Sequence, residues 1–333
     1  MEVEGRSLRV GVVGVGHLGK VHARLWKEVE GVELVGVFDE VAEMAREVAT
    51  EHGVTAFSEL DALIDSVDAL SVVTPTFAHF GVADHAIRQR RHVLIEKPIT
   101  TTVREAEDII ALAREFRVKV QVGHIERFNP ALLAAERYLN EPRFFESHRM
   151  AQFKPRGTDV PVVLDLMVHD IDVILSLVKS SVTSIDASGI AVVSEQIDIA
   201  NARIKFANGA VANVTSSRIS QTPMRKLRIF QRDAYLSIDF AAKNAEIFRL
   251  LGEGEENVNP MQFKLGEIER ADVPRAIVYE RPAVADLNPL KYELELFRDA
   301  IRLDTRPIVS GEDGLEALRI AEEILKSIEL QTM

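Results

Sequence analysis

The sequence predicts an α/β chain with a doubly wound parallel sheet of Rossmann type at its N-terminal end. An α+β domain with a large, mostly antiparallel sheet is expected to follow. Three observations carry this reading. The first 123 residues alternate short apolar runs with helical patterns, and near-continuous apolar strands between helices belong to parallel sheets buried on both faces. From Val182 to about Ile247 the periodicity becomes strand-like, with β-branched residues and hairpin signals. The first apolar run also enters a glycine turn and then a helix without interruption. A chain of 333 residues has room for two domains, and the change of texture divides it into residues 1–125 and 126–333.

The first strand candidate, Val10–Val13, leads into Gly14-x-Gly16-x-x-Gly19, and Val21, Leu25, Trp26 and Val29 continue with helical spacing over Gly16–Lys27. Gly14 allows the tight turn, Gly16 lets a pyrophosphate approach the backbone, and Gly19 lets the helix sit close on its strand. With His17 and Leu18 they form a turn whose N–H groups and positive helix end would meet phosphates. The second strand, Leu34–Phe38, ends in Asp39, 20 residues past Gly19. An acid there binds both ribose hydroxyls and repels a 2′-phosphate, so the site is read as preferring NAD to NADP. The alternative is a strand-to-helix turn that binds nothing.

Further strands are expected at Ala69–Val73, Val93–Glu96 and Lys119–Val122, with helices at Val41–Glu51, Phe80–Arg90 and Thr102–Phe116. Thr102 and Glu105 make a capping box for the last of these. Beyond residue 125, Asn129–Leu139 and Val162–Val178 read as helices. Asn208-Gly209 is a two-residue hairpin turn, and Arg232-Asp233 is a second candidate. Asn288-Pro289 caps a helix running to about Arg302, Ser310-Gly311-Glu312-Asp313 precedes a last helix over Gly314–Leu330, and Gly252–Asn257 reads as a surface loop.

Composition narrows the function. A net charge of −12 argues against a nucleic-acid surface, and no apolar run approaches the ~20 residues that span a bilayer. Met1-Glu2-Val3-Glu4 is acidic where a signal peptide is basic, and the absence of cysteine excludes disulfides and thiolate metal sites. Both fit a cytoplasmic protein. A wide antiparallel sheet often leaves one face free of helices, and such a face is expected to pair subunits into a homodimer or homotetramer.

Three further segments carry chemistry. Thr74-Pro75-Thr76 with His79, and Glu96-Lys97-Pro98, each follow a strand, and open α/β sheets bind ligands at the carboxyl ends of their strands. Thr74, Pro75, Thr76, His79, Glu96 and Lys97 are assigned to the cofactor cleft. Lys97 at the cleft floor can hydrogen-bond a sugar hydroxyl and, beside a cationic nicotinamide, serve as a proton acceptor. Its alternative is a surface lysine paired with Glu96. In the third segment Asp165, His169 and Asp172 fall on one helical face at 3.6 residues per turn, and Asp170 points away. A histidine oriented by a carboxylate suits proton transfer near neutral pH. A solvated polar face is the alternative, and a metal reading lacks a third ligand, so no metal is expected.

Together these residues resemble the Gfo/Idh/MocA oxidoreductases, a likeness that covers nearly the whole chain. It rests on Gly14-x-Gly16-x-x-Gly19, Thr74-Pro75 with His79, His92-Val93-Leu94-Ile95-Glu96-Lys97-Pro98, Asp165-x-x-x-His169 and the late Pro307–Gly314 segment. The resemblance implies that Lys97, Asp165 and His169 are catalytic. Thr76 stands where many members have asparagine, so the contact there differs. Gly123-His124-Ile125-Glu126-Arg127-Phe128-Asn129-Pro130 is similar to the branch that oxidises C3 of UDP-N-acetylglucosamine. Arg127, Asn129, Lys154 and Arg156 are assigned to the substrate, the cations as candidates for a pyrophosphate. The expected activity is NAD-dependent oxidation of a nucleotide-sugar hydroxyl, with Lys97 and His169 sharing the proton work. Whether Lys97 or His169 is the base stays open. A free sugar, inositol or other cyclic polyol is the second substrate reading, and a dinucleotide-sensing protein without chemistry the third.

Overall fold

The computed structural model describes residues 6–154, 158–252, 262–270 and 273–332. Arg156 and most of Gly252–Asn257 lie outside the described residues. The chain forms two compact units, one of Met1–Ile125 with Asn288–Arg319, the other of Glu126–Leu287 with Ile320–Met333.

The first unit contains β1 (Leu8–Val13), α1 (His17–Trp26), β2 (Val32–Phe38), α2 (Ala42–His52), β3 (Thr55–Ala56), α3 (Leu60–Ser66), β4 (Ala69–Val72), α4 (Thr76–Arg88), β5 (His92–Glu96), α5 (Val103–Phe116) and β6 (Val120–Gly123). The strands form one parallel sheet in the order β3-β2-β1-β4-β5-β6. Its order reverses between β1 and β4, the switch point at which open α/β sheets bind ligands. Thr102 and Glu105 close the expected capping box on α5. Helix α4 starts a turn earlier than its apolar spacing suggested, because Pro75, at φ −58°, is set for the N-cap position.

In the second unit, α6 (Pro130–Glu136) is followed by β7 (Phe144–Met150), a π-helical turn (Val163–Met167) and α7 (Val168–Val178). Eight strands follow: β8 (Val182–Ile190), β9 (Ile199–Phe206), β10 (Val211–Ser217), β11 (Met224–Gln231), β12 (Ala234–Asp239), β13 (Asn244–Leu250), β14 (Gln262–Arg270) and β15 (Val273–Glu280) complete, with β7, a nine-stranded sheet. Its order is β14-β15-β13-β12-β11-β7-β10-β9-β8, and the β7–β10 pair is parallel where the other pairs are antiparallel. Both predicted hairpin turns connect neighbouring strands, β9 to β10 and β11 to β12. The residues of β7 alternate: Phe145, Ser147 and Arg149 are buried, and Phe144, Glu146, His148 and Met150 are half-buried on the other face.

The expectation that everything after residue 125 forms one domain needs correction. Helix α8 (Pro289–Arg302) and the start of α9 (Gly311–Thr332) belong to the first unit. The reason is packing. Leu290, Leu294 and Phe297 of α8 enter the core that Trp26, Val10 and Leu94 share, with the Trp26 and Phe297 rings 6.5 Å apart. Full burial of each such side chain contributes about 1.5–3 kcal/mol. Val309 accepts from the Val122 N–H and Ser310 bridges Gln121, so this segment also covers the β6 edge.

Candidate active site

Each glycine of the first turn has a separate physical reason. Gly14 sits at φ +84°, and a Cβ on it would lie 2.7 Å from the Val73 carbonyl oxygen. A Cβ on Gly19 would lie 1.9 Å from the Gly14 carbonyl oxygen, so α1 can rest on β1 only with glycine there. Nothing lies within 4 Å of a Cβ placed on Gly16, which is room for a phosphate oxygen at the backbone. Gly16 is also the N-cap of α1 and no side chain caps that helix, leaving the N–H groups of its first turn, from His17 and Leu18 onward, to serve an anion.

Asp39 fixes the far side of this turn. Its Oδ2 accepts the Val15 N–H at 2.7 Å and its Oδ1 accepts the Val41 N–H at 2.9 Å. The carboxylate is thereby held at the tip of β2. Across the switch point the Thr74 Oγ1 is buried with no hydrogen-bond partner among the described residues, an orphan that a polar ligand would satisfy. Leu18, Val41 and Phe77 follow the ends of β1, β2 and β4 and are 40%, 55% and 77% exposed, apolar surface suited to flank an aromatic base. Val41 and Phe77 escaped the sequence reading, since a lone exposed apolar residue carries no periodic signal. This donor set, orphan hydroxyl and fixed acid fit a dinucleotide.

Replacement of Asp39 by serine is expected to lower kcat/KM for NAD about tenfold or more and to raise it for NADP, because charge-assisted bonds of this kind contribute about 1.5–3 kcal/mol. Initial rates with each cofactor check this, and an unchanged NAD:NADP ratio would overturn the role.

His79 and Glu96 brace the cleft floor rather than face it. His79 is 1% exposed, and its ring nitrogens lie 2.9 Å from the carbonyl oxygens of Thr74 and Pro98, so it ties the two ligand-edge loops together. Burial holds its pKa below the ordinary histidine value. Glu96 accepts from His22 Nε2 at 3.1 Å and from the Lys97 N–H at 3.2 Å. Burial pushes its carboxyl up, but the hydrogen bonds and charge of His22 and Lys97 outweigh this and hold it below the usual carboxylate range. Lys97 itself is half-buried at the end of β5.

In the second unit the 3.6-residue phase assumed for Asp165 does not apply, because Asp165 lies in the π-helical turn and His169 in the first turn of α7. Both are half-buried. Asp172 does not join them as an open carboxylate. It is fully buried and accepts from Arg127 Nε and Nη2, each at 2.7 Å. Arg127 is therefore held bidentately within its own unit, not presented as a loose pyrophosphate cation. Asn129 caps α6 through Oδ1 and donates through Nδ2 to Glu126 and the Phe240 carbonyl, which commits its amide locally. Lys154 is exposed, and Arg156 lies outside the described residues. Among the described residues no cluster of His, Asp and Glu is arranged to hold a metal ion.

Residues 8–124 match the Gfo/Idh/MocA oxidoreductase family model for an NAD-binding Rossmann fold, and residues 135–237 match a Gfo/Idh/MocA C-terminal domain. The UDP-N-acetylglucosamine 3-dehydrogenase of Acidithiobacillus ferrooxidans is 40% identical over 292 residues, 84% of this chain and 91% of that protein. The chain belongs to the Gfo/Idh/MocA oxidoreductases. A solved structure of the Acidithiobacillus ferrooxidans enzyme superimposes with a TM-score of 0.86 at 36% identity, covering 97% of this chain and 98% of that one. A scyllo-inositol 2-dehydrogenase of Bacillus subtilis is 31% identical over 233 residues, 64% of this chain and 68% of that protein. Like its family, this member is an oxidoreductase that binds NAD.

Proposed function

We propose that the protein oxidises the C3 hydroxyl of a nucleotide-activated amino sugar such as UDP-N-acetylglucosamine. The placement of Lys97 carries the chemistry: it stands at the ligand edge of the parallel sheet, two strands from the glycine turn, directly on the buried Glu96. The substrate class is supported by the 40% identity to a UDP-N-acetylglucosamine 3-dehydrogenase. The oxidised nicotinamide of bound NAD supplies the hydride acceptor. The protein must then hold the hydroxyl and take its proton. Lys97 binds the hydroxyl oxygen through its ammonium or amine, Lys97 and His169 share removal of the proton, and Asp165 orients His169. Lys154 is an exposed cation for the pyrophosphate.

A coupled NADH assay tests the substrate. NADH formation with UDP-N-acetylglucosamine at least about tenfold faster than with myo-inositol, scyllo-inositol or the free sugar is expected, since specific hydrogen bonding discriminates by such factors. Turnover of the polyols alone would establish the alternative substrate class. Tight NADH binding with no turnover of any panel member would favour the sensing role.

We also propose that the protein works as a homodimer or homotetramer in the cytoplasm. On the half-buried face of the nine-stranded sheet, Phe144, Phe230, Tyr235, Phe248, Tyr279 and Phe263 form a ladder across six strands, with ring centroids 4.7–6.5 Å apart. The next row carries Glu146 and Arg228, paired at 4.0 Å. An aromatic stripe beside paired charges is self-complementary across a two-fold axis. Light scattering is expected to give a multiple of 37.1 kDa, and a purely monomeric species at micromolar concentration would overturn this.

A further inference from the structure

His22 is a fully buried titratable group that the proposed chemistry leaves unused. It is 0% exposed on α1, one turn before Trp26, and both side chains face the sheet. Trp26 Nε1–H donates to Ser71 Oγ of β4 at 2.7 Å. That hydroxyl lies 3.4 Å from His22 Nδ1, and His22 Nε2 lies 3.1 Å from Glu96 Oε1 at the end of β5. With Nε2 protonated, each donor in the chain finds an acceptor: indole to hydroxyl, hydroxyl to Nδ1, Nε2–H to carboxylate, and the Lys97 N–H to the second carboxylate oxygen at 3.2 Å. One hydrogen-bonded line therefore joins the helix that opens with the glycine turn to the residue that carries Lys97.

We infer that His22 is a positioning residue for the reaction: through Glu96 it fixes the direction and the local charge of Lys97 relative to the dinucleotide turn. This inference rests on the proton role proposed for Lys97. The groups that face Glu96 are few. His22 comes from α1, Lys97 follows it in the chain, and His79 stands on α4. The backbone of β6 closes the remaining side, where a Cβ on Gly123 would lie 2.8 Å from the carboxyl carbon. Among these groups His22 Nε2 is the side-chain donor on Glu96 Oε1. A carboxylate this enclosed keeps its charge and orientation only while its hydrogen-bond donors are present. A packing role alone would make His22 replaceable by any side chain of its volume. A positioning role makes it replaceable only by one that keeps a donor at Nε2.

The test compares His22→Met, which fills the volume without a donor, with His22→Gln, which keeps one. Kinetics and NADH binding are measured for the full-length protein, with Lys97→Met in parallel. His22→Met is expected to lower kcat about 10- to 100-fold, with the Kd for NADH within about threefold, and to move the kcat–pH profile by about half a unit or more. His22→Gln is expected to recover most of kcat and the original profile. If His22→Met does not fold, a wild-type profile in His22→Gln beside a displaced profile in Glu96→Gln sustains the inference, and a displaced profile in His22→Gln overturns it. Equal kcat and an unmoved profile in His22→Met, with Lys97→Met inactive, would sink the positioning role and leave the Lys97 role standing. Undiminished turnover in Lys97→Met would instead sink the role of Lys97.

Discussion

Lys97→Met is expected to lower kcat about 10³-fold, with the Kd for NADH changed by no more than about threefold. The size follows from what the side chain does. A positioned acid–base group contributes about 10²–10⁴ to a rate, and in the proposed mechanism the same ammonium also holds the substrate hydroxyl. Methionine keeps the length and most of the volume of lysine, so the end of β5 and the Glu96–His22 contact below it have no steric reason to move. Cofactor binding is proposed to rest mainly on other groups: the glycine turn, the uncapped start of α1 and the carboxylate of Asp39. A variant that binds NADH and fails to oxidise therefore isolates the proton step. Single-turnover absorbance at the nicotinamide band, alongside fluorescence titration of NADH, checks both halves. A kcat within about threefold of the wild type would remove Lys97 from the mechanism and shift the proton work to His169.

The N-terminal site was largely legible because each of its signals is local. Gly14, Gly16 and Gly19 lie within one turn and answer to three separate backbone constraints, and the position of Asp39 is set by the length of a helix and a strand. The capping box of α5 and the two-residue hairpins are legible for the same reason. What escaped depends on distant partners or on elements too short for a period. β3 has 2 residues and α3 has 7, too few to show an alternation or an apolar stripe. β7 was missed because its buried face carries Ser147 and Arg149, so its apolar alternation is inverted by a buried polar network. His22 reads as one more position on a helix stripe until Glu96, 74 residues away, is placed beside it. Arg127 reads as a cation of the cleft until Asp172, 45 residues away, accepts from its Nε and Nη2. The return of α8 to the first unit could not be read from composition, since an amphipathic helix records how wide its apolar face is and not which sheet it covers.

The largest effect on stability is expected from Arg149→Met. Arg149 is 4% exposed under the nine-stranded sheet. Its Nε reaches Asp170 Oδ2 at 2.6 Å and its Nη1 reaches Glu126 Oε1 at 2.9 Å, while Ser147 Oγ donates to Asp170 Oδ1 at 2.8 Å. Burial alone would lower the guanidinium pKa, but the two carboxylates reverse this and raise it, so the cation persists at every accessible pH. Removing it takes the guanidinium from the buried Asp170 and leaves Glu126 with Arg225 at 4.0 Å, and breaking such a site from one side costs about 3–5 kcal/mol. For a unit of this size the loss corresponds to a fall in Tm of about 10 °C. Asp170 immediately follows His169 on α7, and the Asp172–Arg127 pair holds the next half-turn, so activity is expected to fall with stability. Adding Asp170→Asn to Arg149→Met should recover part of the Tm by removing the stranded charge. A variant whose Tm stays within about 2 °C of the wild type at pH 7 would show that the network is not what anchors the helix bearing His169.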